Sequence, residues 1–242
     1  AALFFLVQVD DGIVKSVASA VFNIRAGVDK LPLMYTWIAV VFSLCMVLLS
    51  WLTAKIARQR LLFGMMGGVR LVVAVNAVML LLDSSGQLAL GTDYYSFLFI
   101  SSELARTLMN FQIWIVAGGI CYVSRAKVFF PLLASSAVLG DISGGFAVRF
   151  LGSLLDSYQL YGLATLNMAL VLVLLRRLMR RYFVSSHQGG DADEAAGLGE
   201  NLRYFARSYY LLLLFGLSLA IFAVYTTVHY GFNVVAHDYF QS

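Results

Sequence analysis

Lys15, Glu103, Arg106, Asn110 and Asp141 can all do ionic or strong hydrogen-bond chemistry, yet each stands inside a long apolar run. Their spacing is ordered. Asp11 and Lys15 are four residues apart, Glu103 and Arg106 three, and Arg106 and Asn110 four, so on helices each set shares one face. Lys15 and Arg106 could meet an anion, while Glu103 or Asp141 could handle a proton or a counter-charge. The competing reading is that the charges neutralise one another and hold helices together without any ligand. Either way they need a reason to exist, because an ionisable side chain at mid-bilayer costs about 2.5–3.5 kcal/mol on insertion scales. At 1.5 Å rise per residue Lys15 and Asp141 lie roughly 18–20 Å from the same membrane face, and Arg106 falls near the middle as well. Arg70 and Arg149 also stand in apolar runs; Arg70 is close enough to a span end to snorkel towards water.

The elements that must position these residues are membrane spans. Hydrophobic residues make up 61% of the chain and charged residues 12%, with a mean hydropathy of +0.83, far from the composition of a soluble domain. A span needs about 20 apolar residues. The sequence predicts an all-α integral membrane protein with spans at about 3–24, 33–52, 61–82, 95–122, 128–155 and 158–175. A polar linker over 182–207, with room for one short amphipathic helix, and a seventh span within 208–242 follow. Asp10, Asp11, Gly12 and Lys15 are expected to interrupt the first span, Pro32 to open the second and Pro131 to sit in the first turn of the fifth, after a basic hinge at Arg125 and Lys127.

Basic residues set the expected orientation. The loops after spans two, four and six hold Lys55, Arg58, Arg60, Arg125, Lys127, Arg176, Arg177, Arg180, Arg181, Arg203 and Arg207, which is eleven of the 17 Lys and Arg, against Arg25 and Lys30 on the other side. By the positive-inside rule the even loops and the linker face the cytoplasm. The pI near 9.1 then reflects topology and attraction to anionic lipid, not nucleic acid. The expected partners are the bilayer, an anionic small solute, and further transmembrane helices or another subunit. No signal peptide precedes the first span, so the native chain is expected to start upstream.

Six spans, a long cytoplasmic linker and another span make the ground plan of a major-facilitator-type carrier: a six-helix N-terminal half and the first helix of a second half. Sliding the sequence by 210 positions aligns Leu3 with Leu213, Phe5 with Phe215, Val14 with Val224, Phe22 with Phe232, Asn23 with Asn233 and Ala26 with Ala236. Ser136, Gly140 and Gly144 form a small-residue stripe suited to close helix packing. Cys45 and Cys121 read as buried small hydrophobes, and His229 and His237 as interfacial residues rather than metal ligands. No phosphate loop, nucleophile elbow or metal signature is present, so neither an enzyme nor a cofactor is expected.

Ser102-Glu103-Leu104, Trp114, the run Ser124-Arg125-Ala126-Lys127-Val128-Phe129-Phe130-Pro131-Leu132, and Gly140 with Gly144-Gly145 together resemble helices four and five of the nucleotide transporter (ATP/ADP translocase) family. Its bacterial major-facilitator-like relatives share the pattern. Val14-Lys15-Ser16, Gly27, Leu31-Pro32 and Trp37 are similar to that family's first helix and the turn after it. The resemblance implies a carrier in a bacterial cytoplasmic membrane that exchanges anionic solutes such as nucleotides, with Lys15 and Glu103 at positions used in transport. Ala105 stands where the family has a tryptophan, and Thr226 or Thr227 where helix seven has a glutamate, which draws the chain towards the bacterial relatives. A carrier-like scaffold or assembly subunit without transport is the alternative expectation.

Overall fold

The computed structural model describes the backbone of residues 1–55, 58–120, 123–182, 203–204 and 206–241. Within them the regular structure is helical: α1 (Ala2–Arg25), α2 (Leu31–Lys55), α3 (Arg58–Ser84), α4 (Thr92–Ile120), α5 (Val123–Leu151), α6 (Ser157–Tyr182) and α7 (Tyr209–Gln241). A helix satisfies its own backbone hydrogen bonds, which lipid cannot do for it. Five of these seven are long and apolar enough to cross a membrane, and the chain is accordingly a multi-pass membrane protein. The other two, α1 and α4, carry the inward charges.

The α1 helix is the centre of the bundle. It packs against α4, α5 and α6, while α3 lies against α4 and α6, and α2 leans on α4. Phe4, Val7, Asp11, Val14, Ala18 and Phe22 are buried at intervals of three or four residues, so Asp11 belongs to the core-facing stripe and not to a break. The expected interruption at Asp10 to Lys15 is absent: α1 is continuous, because neighbouring helices rather than lipid surround its polar residues. The turn after α1 needs Gly27, whose φ of 91° suits a residue without Cβ. A short 3-10 turn, Val28–Lys30, then leads into α2 with Pro32 near its start.

The fourth-to-fifth connection differs from expectation. The α5 helix already begins at Val123, so Arg125 and Lys127 lie within its opening turns, and Pro131 stands inside the helix instead of at its start. α5 ends at Leu151, four residues short of the expected Leu155. Among its described residues α7 buries only Asn233, and it meets the rest of the protein along α1 and the start of α2. The proposed linker helix, Cys121 and the side chains of Arg125 and His237 lie outside the described residues.

Candidate functional site

The charged face of α4 meets α1 in one hydrogen-bonded network. Arg106 donates from Nε and Nη2 to Oε2 of Glu103 at 3.1 and 2.8 Å, and its Nη1 lies 3.5 Å from Oδ2 of Asp11. Asn110 donates to the same Asp11 oxygen at 3.4 Å and accepts from Nε2 of Gln8. The three-to-four residue spacing on α4 puts Glu103, Arg106 and Asn110 on the side that faces Asp11. Arg106 is therefore already engaged by two carboxylates. Breaking one partner out of such a buried set costs more than the set contributes as a whole.

Behind this network, Asp10 is 1% exposed and takes a hydrogen bond on Oδ1 from Nδ2 of Asn167 in α6 at 2.9 Å. Its Oδ2 has no protein partner. A void of roughly 10 Å³ among Asp10, Asp11 and Arg106 has room for one water molecule. Two carboxylates, Asp11 and Glu103, thus share the Arg106 guanidinium, and Asp10 beside them rests on Asn167 instead, which leaves a surplus of acidic groups in the middle of the bundle.

Lys15 does not join them. Its ammonium donates to the Tyr225 hydroxyl at 2.5 Å and stands 5.2 Å from the centre of that ring, across the seam between α1 and α7. Among the described residues it has no carboxylate ion pair; the ion pairs found are those of Arg106. Farther along the seam, Nδ2 of Asn23 donates to Oδ1 of Asn233 at 2.7 Å. His229 Nδ1 lies 2.7 Å from the Tyr35 hydroxyl and 3.1 Å from Nδ2 of Asn233. Between the two helices opens a cavity of roughly 730 Å³, walled by Lys15, Ser16, Ser19 and Asn23 on one side and His229 and Asn233 on the other. Ser19 Oγ and Asn23 Oδ1 in that wall are shielded atoms without a partner. Lys15 is the one Lys or Arg in the lining, beside both hydrogen-bonding groups and the apolar side chains of Ala20, Ile24, Phe232 and Ala236.

Of the residues expected to carry chemistry, Glu103, Arg106 and Asn110 come together with Asp11, and Lys15 faces the neighbouring cavity. Among the described residues Asp141 enters the network through no hydrogen bond or ion pair, although its carboxylate is close enough to act electrostatically on Asp11. Its side chain is exposed, and its backbone carbonyl packs against Gly12. Equal depth did not mean equal direction. Ser136 bonds back to the Leu133 carbonyl at 2.8 Å, while Gly140 and Gly144 pack directly on the α1 backbone at Phe5 and Val9. Arg149 is exposed and Arg70 half-buried, and Cys45 is a half-buried free thiol.

Sequence reasoning passed over Gln8, Asn167, Ser19, Tyr35 and Tyr225, and took Asp10 only as a break in the first span. Asn167 and Gln8 carried a usable signal, since amides inside apolar spans need partners. His229, expected as an interfacial residue rather than a metal ligand, lines the cavity between α1 and α7. No protein-family model, no curated protein and no solved structure matches the chain.

Proposed function

We propose that this chain is the N-terminal half and seventh helix of a major-facilitator-type carrier that moves an anionic organic solute, such as a nucleotide, by alternating access. The observation that carries the reading is Lys15: a cation within a bilayer-spanning bundle, held by a phenol rather than a carboxylate and facing a cavity of roughly 730 Å³. Charge at that depth is expensive unless something balances it, and an entering anion supplies the balance. The cavity volume lies in the range of small-molecule sites. Arg106 is a gate in this reading rather than a solute ligand, because Glu103 and Asp11 already occupy it. The surplus of carboxylates around it offers a place for a coupling proton. The distribution of Lys and Arg supports even loops and a linker on the cytoplasmic side, and the family resemblance supports a bacterial inner membrane. Further helices or another subunit would supply the opposite wall of the cavity.

The engagement of Arg106 also favours a second reading, a transport-inactive scaffold whose charges only fasten helices. Uptake of labelled nucleotides and other organic phosphates by liposomes containing the full-length protein separates the two. Lys15→Gln is expected to abolish saturable uptake while thermal stability stays close to wild type, and Tyr225→Phe to weaken it. Unchanged uptake in Lys15→Gln refutes the role given to Lys15. A correctly folded wild type that takes up no member of the panel supports the scaffold.

A further inference from the structure

A second cleft lies away from the charged centre. Because α2 leans on α4 and hardly touches α3, a cleft of roughly 570 Å³ opens between Cys45 and Leu48 of α2, Gly68 and Val72 of α3, and Leu104 of α4. Its one hydroxyl, on Ser101, is already satisfied by the Leu98 carbonyl at 3.1 Å and by the amide of Asn76 at 3.0 Å. Nothing in that wall could hold a polar ligand. Beyond one end of the cleft the wall changes character, for there α2 ends in Lys55 and α3 begins close to Arg60, both exposed. The Lys55 ammonium stands 4.0 Å from the centre of the Trp51 ring. A tryptophan beside a lysine at a helix end is the signature of the headgroup level of a membrane. From Lys55 the α2 wall runs back over Leu49 to Val41, about 9 to 21 Å at 1.5 Å per residue, and from Arg60 the α3 wall runs over Met65 to Val72, about 8 to 18 Å. One leaflet of hydrocarbon is roughly 15 Å deep.

We infer that this cleft is a binding site for one anionic phospholipid. An acyl chain lies between α2 and α3 against α4, and Lys55 and Arg60 hold the phosphate and the acidic headgroup. The depth of the apolar wall matches a leaflet, and the cationic end stands where the headgroup must be. A lipid there would fill the space along which α2 and α3 barely touch. The site is independent of transport, since it shares no residue with the Lys15 cavity.

The test is lipid binding to the purified full-length protein in detergent, read by native mass spectrometry during titration with phosphatidylglycerol or phosphatidylcholine. One phosphatidylglycerol is expected to bind more tightly than phosphatidylcholine, by roughly 5-fold for each basic side chain. Lys55→Gln with Arg60→Gln is expected to remove that preference. Gly68→Leu fills the cleft, and as the space beside Gly68 is open it should do so without disturbing the fold; it is expected to reduce the binding of both lipids. In a Cys121→Ser background, phosphatidylglycerol should slow the reaction of Cys45 with N-ethylmaleimide. Equal affinity for the two lipids in the wild type overturns the headgroup assignment. Undiminished binding to a folded Gly68→Leu protein, or unprotected Cys45 at full lipid occupancy, overturns the cleft.

Discussion

Gly144→Ala and Gly145→Ala are adjacent substitutions on one helix whose outcomes should have opposite signs. A Cβ at Gly144 would lie 2.6 Å from the Val9 carbonyl oxygen and 3.1 Å from the Gly12 Cα, whereas a Cβ at Gly145 meets nothing within 4 Å. Both obstacles at Gly144 are backbone, so no side chain can rotate away. To reach ordinary contact, α1 and α5 must part by about 1 Å, which forfeits a quarter to a half of the dispersion energy along the seam. Overpacking of this kind costs about 1–3 kcal/mol. Replacing a helical glycine by alanine otherwise contributes about 0.5–1 kcal/mol of stability, and both variants receive that gain. Gly145→Ala should therefore be slightly more stable than wild type, and Gly144→Ala less stable than Gly145→Ala by about 1–3 kcal/mol. For a chain of this size 1 kcal/mol moves the unfolding temperature by about 2–4 °C, so thermal unfolding in detergent, followed by intrinsic fluorescence, resolves the pair. Gly144→Ala should also loosen Arg106 from Asp11, since the seam sets how deeply α1 sits. Equal shifts for the two variants, or greater damage from Gly145→Ala, would show that the α1–α5 approach is not backbone to backbone.

The Arg106 network and the seam with α7 make further predictions. Arg106→Gln strands Glu103 and Asp11 and should lower stability by about 3–5 kcal/mol, and adding Glu103→Gln should recover part of the loss. A double variant as unstable as the sum of the two singles would mean that the pair is not coupled. Asn23→Ala and Asn233→Ala should show a coupling energy of about 0.6–1.7 kcal/mol in a double-mutant cycle, the range measured for hydrogen bonds between membrane helices. Strict additivity would place the two amides apart in the membrane.

The helices were readable because apolar runs of the right length are separated by glycine, proline and charge, and lipid leaves the backbone little choice but to be helical. The same rule misled at Pro131: bundle neighbours can absorb the hydrogen bond that proline removes, so its position inside α5 does not mark an end. Within the site, three-to-four residue spacing correctly grouped Glu103, Arg106 and Asn110, since that relation is fixed by one helix alone. Asp141 failed for the complementary reason. Its depth follows from counting residues, but its direction depends on how α5 is rotated about its axis, and the helix packed on α1 leaves its carboxylate exposed and without an ion pair, reaching Asp11 only through its charge. The pairing of Lys15 with Tyr225 rather than a carboxylate likewise required the position of α7, which no local pattern encodes.

The register of α7 bears on the larger architecture. Lys15 meets Tyr225 and Asn23 meets Asn233, both at a separation of 210 residues. Two parallel helices in contact keep a constant offset along their seam, so the second contact at 210 adds little once the first is given. What needs explaining is the value. The offset at which the helices touch equals the offset at which their sequences align, with Phe22 on Phe232, Asn23 on Asn233 and Ala26 on Ala236. A contact register comes from packing and a repeat register from sequence, and two helices packed without symmetry have no reason to share one number. A two-fold axis between them does give a reason, because it sets each residue opposite its own equivalent. The asparagine pair is the sharpest instance: one residue type, at equivalent positions, bonded to itself across the seam. In the proposed carrier, a second half opening at α7 and related to the first by such an axis would produce this coincidence.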